Sequence, residues 1–176
     1  MCCVKYNSEI HHRHSIRLKE YDYSQNGYYF VTICTKDREY YLEEIVNGKV
    51  ELSDVGNIAQ ECWEEMPEHF ENVILDTHVM MPNHFHGIAM IENNHHDYCR
   101  GGVTPPLHRC TLGQIIAYFK YRTTKLVNVI RQTPDVPLWH RNYYEHVIRN
   151  EIELNAYREY MINNPLQWEF DEENLT

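Results

Sequence analysis

Nowhere along the 176 residues do about 18 apolar side chains run together, so no membrane-spanning helix and no membrane partner are expected. The start of the chain, Met1-Cys2-Cys3-Val4-Lys5-Tyr6-Asn7, lacks an apolar stretch of signal-peptide length, and the expectation is a cytoplasmic protein. Six cysteines (Cys2, Cys3, Cys34, Cys62, Cys99 and Cys110) form no CxxC pair and no evident disulfide framework, so they read as reduced thiols. Positive charge is scarce as well. Lys and Arg number 16 against 26 Asp and Glu, a net charge of −10 that counts against a polyanionic partner until its distribution is considered.

That distribution is uneven. Between Glu39 and Asp76 there are eleven carboxylates and one lysine, and Glu169, Asp171, Glu172 and Glu173 crowd the tail. From Arg109 to Arg149 the balance reverses, with Arg109, Lys120, Arg122, Lys125, Arg131, Arg141 and Arg149 against Asp135 and Glu145. Lys5, Arg13, Arg17 and Lys19 lie near His11, His12 and His14 in the amino-terminal arm. Binding follows the local field, so two basic regions remain able to meet phosphate. Read on charge alone, the same runs are equally well ordinary solvated faces.

A chain of 21.2 kDa suits one domain with a sizeable core. The expected division is an arm over 1–20, a domain over 21–168 and an acidic tail over 169–176. After Asn26-Gly27, the aromatic and β-branched run Tyr28 to Thr35 predicts a strand. Asn47-Gly48 between Leu42-Ile45-Val46 and Val50-Leu52 predicts a small hairpin. Ser53 can cap a helix through Val55, Ile58, Ala59, Cys62, Trp63 and Met66 that ends before Pro67. Val73 to Met81 and His84 to Ile91 predict antiparallel strands joined at Pro82-Asn83. Residues 92–109, with Gly101-Gly102 and Pro105-Pro106, read as a long polar loop.

Thr111 and Gln114 form a capping box that opens a helix through Leu112, Ile115, Ile116, Phe119, Leu126, Val127 and Ile130. A short strand is expected near Tyr143 to Ile148. Asn150 with Glu153 signals a last helix, with Pro165 expected to end it because the residue before proline avoids the helical region. The resulting order predicts an α+β fold, a ferredoxin-like βαββαβ antiparallel sheet with an additional C-terminal catalytic helix.

On a strand, His84 and His86 project to one face, so both imidazoles can converge on one metal while Phe85 points into packing. On the last helix, Tyr160 and Asn164 are four apart and share a face. Together they offer three candidate metal ligands (His84, His86, Asn164) and a hydroxyl nucleophile (Tyr160), enough for metal-assisted attack on a phosphodiester. Each residue alone also reads as ordinary packing, and Tyr157 is the nearest rival nucleophile. Lys120, Arg122, Lys125, Arg141, Arg149 and Arg17 are candidate DNA contacts, and Tyr118, Tyr121, Tyr143 and Tyr144 candidate stacking platforms. Glu145 and His146 are candidate supports of the metal ligands. A metal-dependent hydrolase of a small molecule would use the same His-x-His strand but leaves the aromatic and basic helix unexplained.

The ordered set of segments resembles the REP-associated tyrosine transposases, single-tyrosine members of the HUH single-strand nuclease superfamily. It comprises Ser15-Ile16-Arg17-Leu18 with Tyr21-Asp22-Tyr23-Ser24, Tyr29-Phe30-Val31-Thr32, Val79 through Gly87, Phe119-Lys120, Trp139 through Arg149, and Tyr160 with Asn164-Pro165. The resemblance implies that His84, His86 and the Asn164 amide bind a divalent cation, Mg²⁺ or Mn²⁺. It also implies that Tyr160 attacks DNA to leave a 5′-phosphotyrosine and a free 3′-hydroxyl. The partner so implied is single-stranded DNA carrying hairpins, REP-like palindromes, handled by a monomer or homodimer. A domesticated, inactive hairpin-binding module would keep the same segments. The overall acidity and the 92–109 loop depart from typical members.

Overall fold

The computed structural model describes residues 18, 20–46, 49–93 and 110–167. The candidate contact Arg17, the rest of the arm apart from Leu18 and Glu20, most of the predicted 92–109 loop and the acidic tail therefore lie outside the described residues. Strand β1 covers Gly27–Cys34, a two-stranded ribbon is made by β2 (Glu43–Val46) and β3 (Lys49–Leu52), and α1 covers Asp54–Glu64. A short α2 (Met66–His69) leads to β4 (Val73–Met81) and β5 (His84–Ile91), followed by α3 (Leu112–Arg131), β6 (Tyr144–Ile148) and α4 (Glu151–Gln167).

The main sheet has the order β4-β5-β1-β6, and every neighbouring pair is antiparallel. With the small ribbon set aside, this is the expected ferredoxin-like arrangement, and it places the His84 strand in the sheet interior. Alternation divides the sheet into two faces. Tyr29, Val31 and Ile33 of β1 and Phe85, Ala89 and Ile91 of β5 pack with Ala59, Trp63, Ile115, Ile116 and Phe119 of α1 and α3. On the other face Phe30, Ile88 and Ile148 meet Leu154 and Met161 of α4. No helix among the described residues is long and apolar enough to cross a membrane, and Cys34, Cys62 and Cys110 carry thiols rather than disulfides.

The helix starts follow their sequence signals. Ser53 accepts from the Gly56 N–H, and the Thr111–Gln114 capping box forms in both directions. Two expectations are corrected. Pro165 lies inside α4, which runs on to Gln167, so Asn164 is helical despite preceding proline. Burial of Met161 and Asn164 holds that turn in place, and so close to the helix end the proline forfeits only one backbone bond. Asn150 does cap α4, accepting from the Glu153 N–H at 2.9 Å. The Glu153 carboxylate, however, does not turn back to Asn150. It accepts from the Arg149 N–H at 2.8 Å and meets His146 Nε2 at 2.6 Å, because β6 brings that imidazole within reach.

Candidate active site

The register of β1 with β5 sets Thr32 opposite His86 and Cys34 opposite His84. Thr32 Oγ1 lies 2.9 Å from His86 Nδ1, and Asn83 Oδ1 lies 2.9 Å from His84 Nδ1. An amide oxygen only accepts, so His84 Nδ1 carries its hydrogen and Nε2 presents a lone pair. The two Nε2 atoms face each other at 2.9 Å. Both rings are buried, and burial with the nearby Arg38 charge pushes the His84 pKa down to about 3, which keeps it the neutral imidazole that ligates metals.

The third component comes from α4. The Tyr160 hydroxyl lies 3.4 Å from His86 Nε2, and its ring packs edge-on against His86 at 5.3 Å. Tyr160 is 45% exposed, at the rim of the site. The rival Tyr157 instead stacks on Phe30 with centroids 4.4 Å apart, and burial pushes its pKa up. One turn beyond Tyr160, Asn164 is 3% exposed, and neither amide atom has a hydrogen-bond partner among the described residues. A buried amide without a partner is costly unless something fills the role. No three His, Cys, Asp or Glu among the described residues form a metal cluster, so the two imidazoles do not complete one with another residue of those types. Neutral imidazoles with an amide oxygen are a donor set that fits a divalent cation.

Two polar clamps hold α4 over the sheet. A register shift between Leu75 and His78 of β4 presents Asp76, which Arg158 grips with Nε at 3.0 Å and Nη2 at 2.5 Å. That hydrogen bond pulls the Asp76 pKa down to about 2. At the helix start, the His146–Glu153 contact ties β6 to α4. Of the two candidate supports, only His146 shares the face of His86. Glu145 is paired with Val31 and is buried toward α1 and α3.

The candidate DNA contacts divide. Lys120 Nζ donates to the His140 and Asn142 carbonyls at 3.0 and 2.8 Å, and burial pushes its pKa down to about 8. Arg122 pairs with Glu65 at 2.5 Å. Both are therefore engaged within the fold, whereas Lys125, Arg141 and Arg149 are exposed. Tyr118 packs against His69 and Phe70, and Tyr121 stands 64% exposed. Sequence reasoning missed Arg38, which follows β1 in a turn where Asp37 and Arg38 both take positive φ, 55° and 57°. It also missed Thr32, Asn83 and the Asp76–Arg158 pair. Register could have suggested Thr32 and the predicted Pro82-Asn83 turn Asn83; Arg38 and the Asp76–Arg158 pair depend on a positive-φ turn and a register shift that no local motif announces.

No protein-family model matches the chain. An uncharacterized protein of Haemophilus influenzae is 42% identical over 180 residues, spanning 96% of this chain and 97% of that one. A protein of the same organism described as a "putative REP-associated tyrosine transposase" is 26% identical over 156 residues, spanning 83% of this chain and 74% of the relative. Among solved structures, a REP-associated tyrosine transposase bound to a REP hairpin superposes with a TM-score of 0.60 at 15% identity, covering 88% of this chain and 74% of that one. The chain thus belongs to one family with the uncharacterized Haemophilus influenzae protein, and it resembles the REP-associated tyrosine transposases in sequence and shares their fold.

Proposed function

We propose that the protein is a transposase-like DNA endonuclease and strand transferase acting on single-stranded, hairpin-bearing DNA. The observation that carries this reading is the Tyr160 hydroxyl set 3.4 Å from an imidazole pair whose Nε2 atoms converge. The resemblance in sequence and fold supports it. The relative solved with a REP hairpin supports a hairpin ligand.

In this reading the Tyr160 oxygen attacks phosphorus, the bond to the 3′-oxygen breaks, and a 5′-phosphotyrosine and free 3′-hydroxyl result. The phosphodiester energy stays on the tyrosine for rejoining to another 3′-hydroxyl. His84, His86 and the Asn164 oxygen would hold Mg²⁺ or Mn²⁺, which when bound offsets charge on the scissile phosphate. Thr32 and Asn83 fix the two rings by bonding their Nδ1 atoms, the outer support that metal-binding imidazoles commonly have. Burial of both rings keeps water from competing for Nε2.

The test is to incubate the protein with a hairpin oligonucleotide and Mg²⁺ or Mn²⁺ and resolve a covalent protein–DNA adduct on a denaturing gel. The expected adduct requires Tyr160 and His86, and chelation abolishes it. Hairpin binding with no adduct under any divalent cation would replace the enzyme by a binding module. Metal-dependent turnover of small phosphodiesters without adduct would replace it by a hydrolase.

A further inference from the structure

The turn that leaves β1 is both strained and fastened. Asp37 and Arg38 lie one after the other in the left-handed region, at φ 55° and 57°. Asp tolerates that region, but Arg has no short polar side chain to compensate it. Thr35 secures the start of the turn. Its N–H donates to the Asn83 carbonyl at 2.8 Å, and its hydroxyl sits between the Asn83 and Glu39 carbonyls at 2.9 and 2.7 Å. Leu42 secures the end, with its N–H on the Pro82 carbonyl at 3.1 Å. Strain of this kind persists only where the surroundings over-determine the backbone, and it concentrates at functional sites.

The same fastenings tie the turn to the histidine pair. Pro82 and Asn83 lead into β5, Asn83 Oδ1 accepts from His84 Nδ1, and Cys34, the last residue of β1, stands opposite His84. Arg38 therefore rides on a turn bonded to the residue that orients the His84 ring. Its side chain is half-buried, and its charge reaches His84, where it adds to burial in keeping that imidazole neutral. Lys36, on the same turn, pairs with Asp37.

A fixed positive charge beside imidazoles suited to a cation is unfavourable by itself, and an anion shared between them removes the conflict. The anion that the reaction brings is the phosphodiester. A guanidinium suits it better than an ammonium does, because its planar fork of N–H groups matches two phosphate oxygens at once.

We propose that Arg38 is a further catalytic residue of DNA cleavage, its guanidinium holding a non-bridging oxygen of the scissile phosphate while the Tyr160 oxygen attacks. The inference rests on the DNA reading of the site. As the bond from phosphorus to the Tyr160 oxygen forms and the bond to the 3′-oxygen breaks, negative charge grows on the non-bridging oxygens, and Arg38 offsets it. Arg38 moves no proton, since a guanidinium stays charged. The phenolic proton leaves to water, and the 3′-oxygen takes one from water.

The test follows adduct formation, Mn²⁺ affinity and thermal unfolding side by side, with a hairpin oligonucleotide whose cleaved linkage has been mapped using the wild type. Arg38→Gly is expected to slow the adduct about a hundredfold. Glycine relaxes the left-handed turn, so the same variant should melt no lower than the wild type. It should bind Mn²⁺ no more weakly, because a repelling charge is gone. Arg38→Lys keeps the charge without the fork and should react at an intermediate rate. A second oligonucleotide carries a neutral methylphosphonate at the cleaved linkage. On it the gap between wild type and Arg38→Gly should shrink from about a hundredfold to about threefold or less, since the charge that Arg38 meets is missing. A wild-type adduct rate in Arg38→Gly overturns the proposal and leaves the DNA reading standing. An equal loss on both linkages also overturns it, by making Arg38 a structural part of the turn. Weakened Mn²⁺ binding overturns it as well, because Arg38 would then act on the histidines and not on the phosphate. A wild type that forms no adduct with any hairpin overturns Arg38 and the DNA reading together.

Discussion

The two faces of the main sheet are built to different rules. Toward α1 and α3 lies one continuous cluster, with Trp63, Phe85 and Phe119 fully buried and in mutual edge-on or tilted contact at 4.8 to 5.5 Å. Toward α4 lies a much smaller one: Phe30, Ile88, Ile148, Leu154 and Met161. At its border stand Thr32, His84 and His86, polar groups that share hydrogen bonds among themselves and with Asn83. The difference separates tasks. One face supplies most of the apolar burial, and the other carries a polar constellation and a helix seated by a few apolar residues, the Asp76–Arg158 ion pair and the His146–Glu153 contact.

The largest expected effect comes from a change on the lightly packed face. Tyr160→Phe is expected to remove adduct formation entirely while leaving the thermal midpoint and hairpin affinity near wild type, since it deletes one oxygen from a half-exposed residue. Tyr157→Phe should retain the adduct. If the gel shows the reverse, the nucleophile is the tyrosine stacked on Phe30.

Changes on the heavily packed face should do the opposite. Phe85→Ala is expected to cost about 3–5 kcal/mol in chemical denaturation, because it empties a fully buried site between Trp63 and Phe119. Gly87→Ala should cost about 1–3 kcal/mol by overpacking. A Cβ there would stand 2.7 Å from Phe85 Cζ and 2.8 Å from Trp63 Cζ2, two rings with no room to retreat. His86 lies between these two positions in sequence yet on the other face, and His86→Ala should affect the adduct far more than the melt. A uniform loss of stability across all three would erase the division between faces.

How legible this division was in the sequence follows from the range of each interaction. Alternation along β1 and β5 exposed both faces, and local capping placed the starts of α1 and α3. The strand carrying His84 and His86 and the helix carrying Tyr160 could be paired because the topology leaves few ways to cover an open face. What escaped prediction depends on contacts across the fold. The fates of Lys120 and Arg122 are set by the His140 carbonyl and by Glu65, one 20 and the other 57 residues away. Asp76 meets Arg158 only because β4 shifts register. Pro165 continues the helix because neighbouring side chains are buried, a tertiary effect that local rules do not see.

The Asp76–Arg158 clamp should show an intermediate effect. Arg158→Leu leaves Asp76, whose side chain is only 16% exposed, without its fork. The expected cost is about 1–2 kcal/mol, less than for a wholly buried pair because Arg158 itself is 32% exposed. Adduct formation should slow as well, since Arg158 is two residues from Tyr160 and sets the seat of α4. The charge-reversed double variant Asp76→Arg/Arg158→Asp should recover part of both losses. A variant with normal stability and normal adduct rate would show that the apolar contacts of Leu154 and Met161 suffice to seat the helix.

The smallest expected effect is the pH response of the same clamp. Hydrogen bonding to Arg158 holds the Asp76 carboxyl at about 2, below its ordinary value of 3.8, against an opposing contribution from burial. A depressed carboxyl pKa contributes stability that is fully present above the unfolded value and is lost as pH falls through the folded one. Between about pH 4 and pH 2 the wild type should therefore lose about 1 kcal/mol through this group, after allowance for solvent screening at the partly exposed arginine. Asp76→Asn keeps the shape but cannot titrate, so the wild-type advantage over it should shrink across that window and stay level from pH 5 to pH 7. The comparison is a pair of urea titrations at each pH, read as the difference in unfolding free energy. A difference that does not change with pH would mean that the carboxylate is not held by Arg158, and α4 would then be fastened to the sheet mainly through His146 and Glu153.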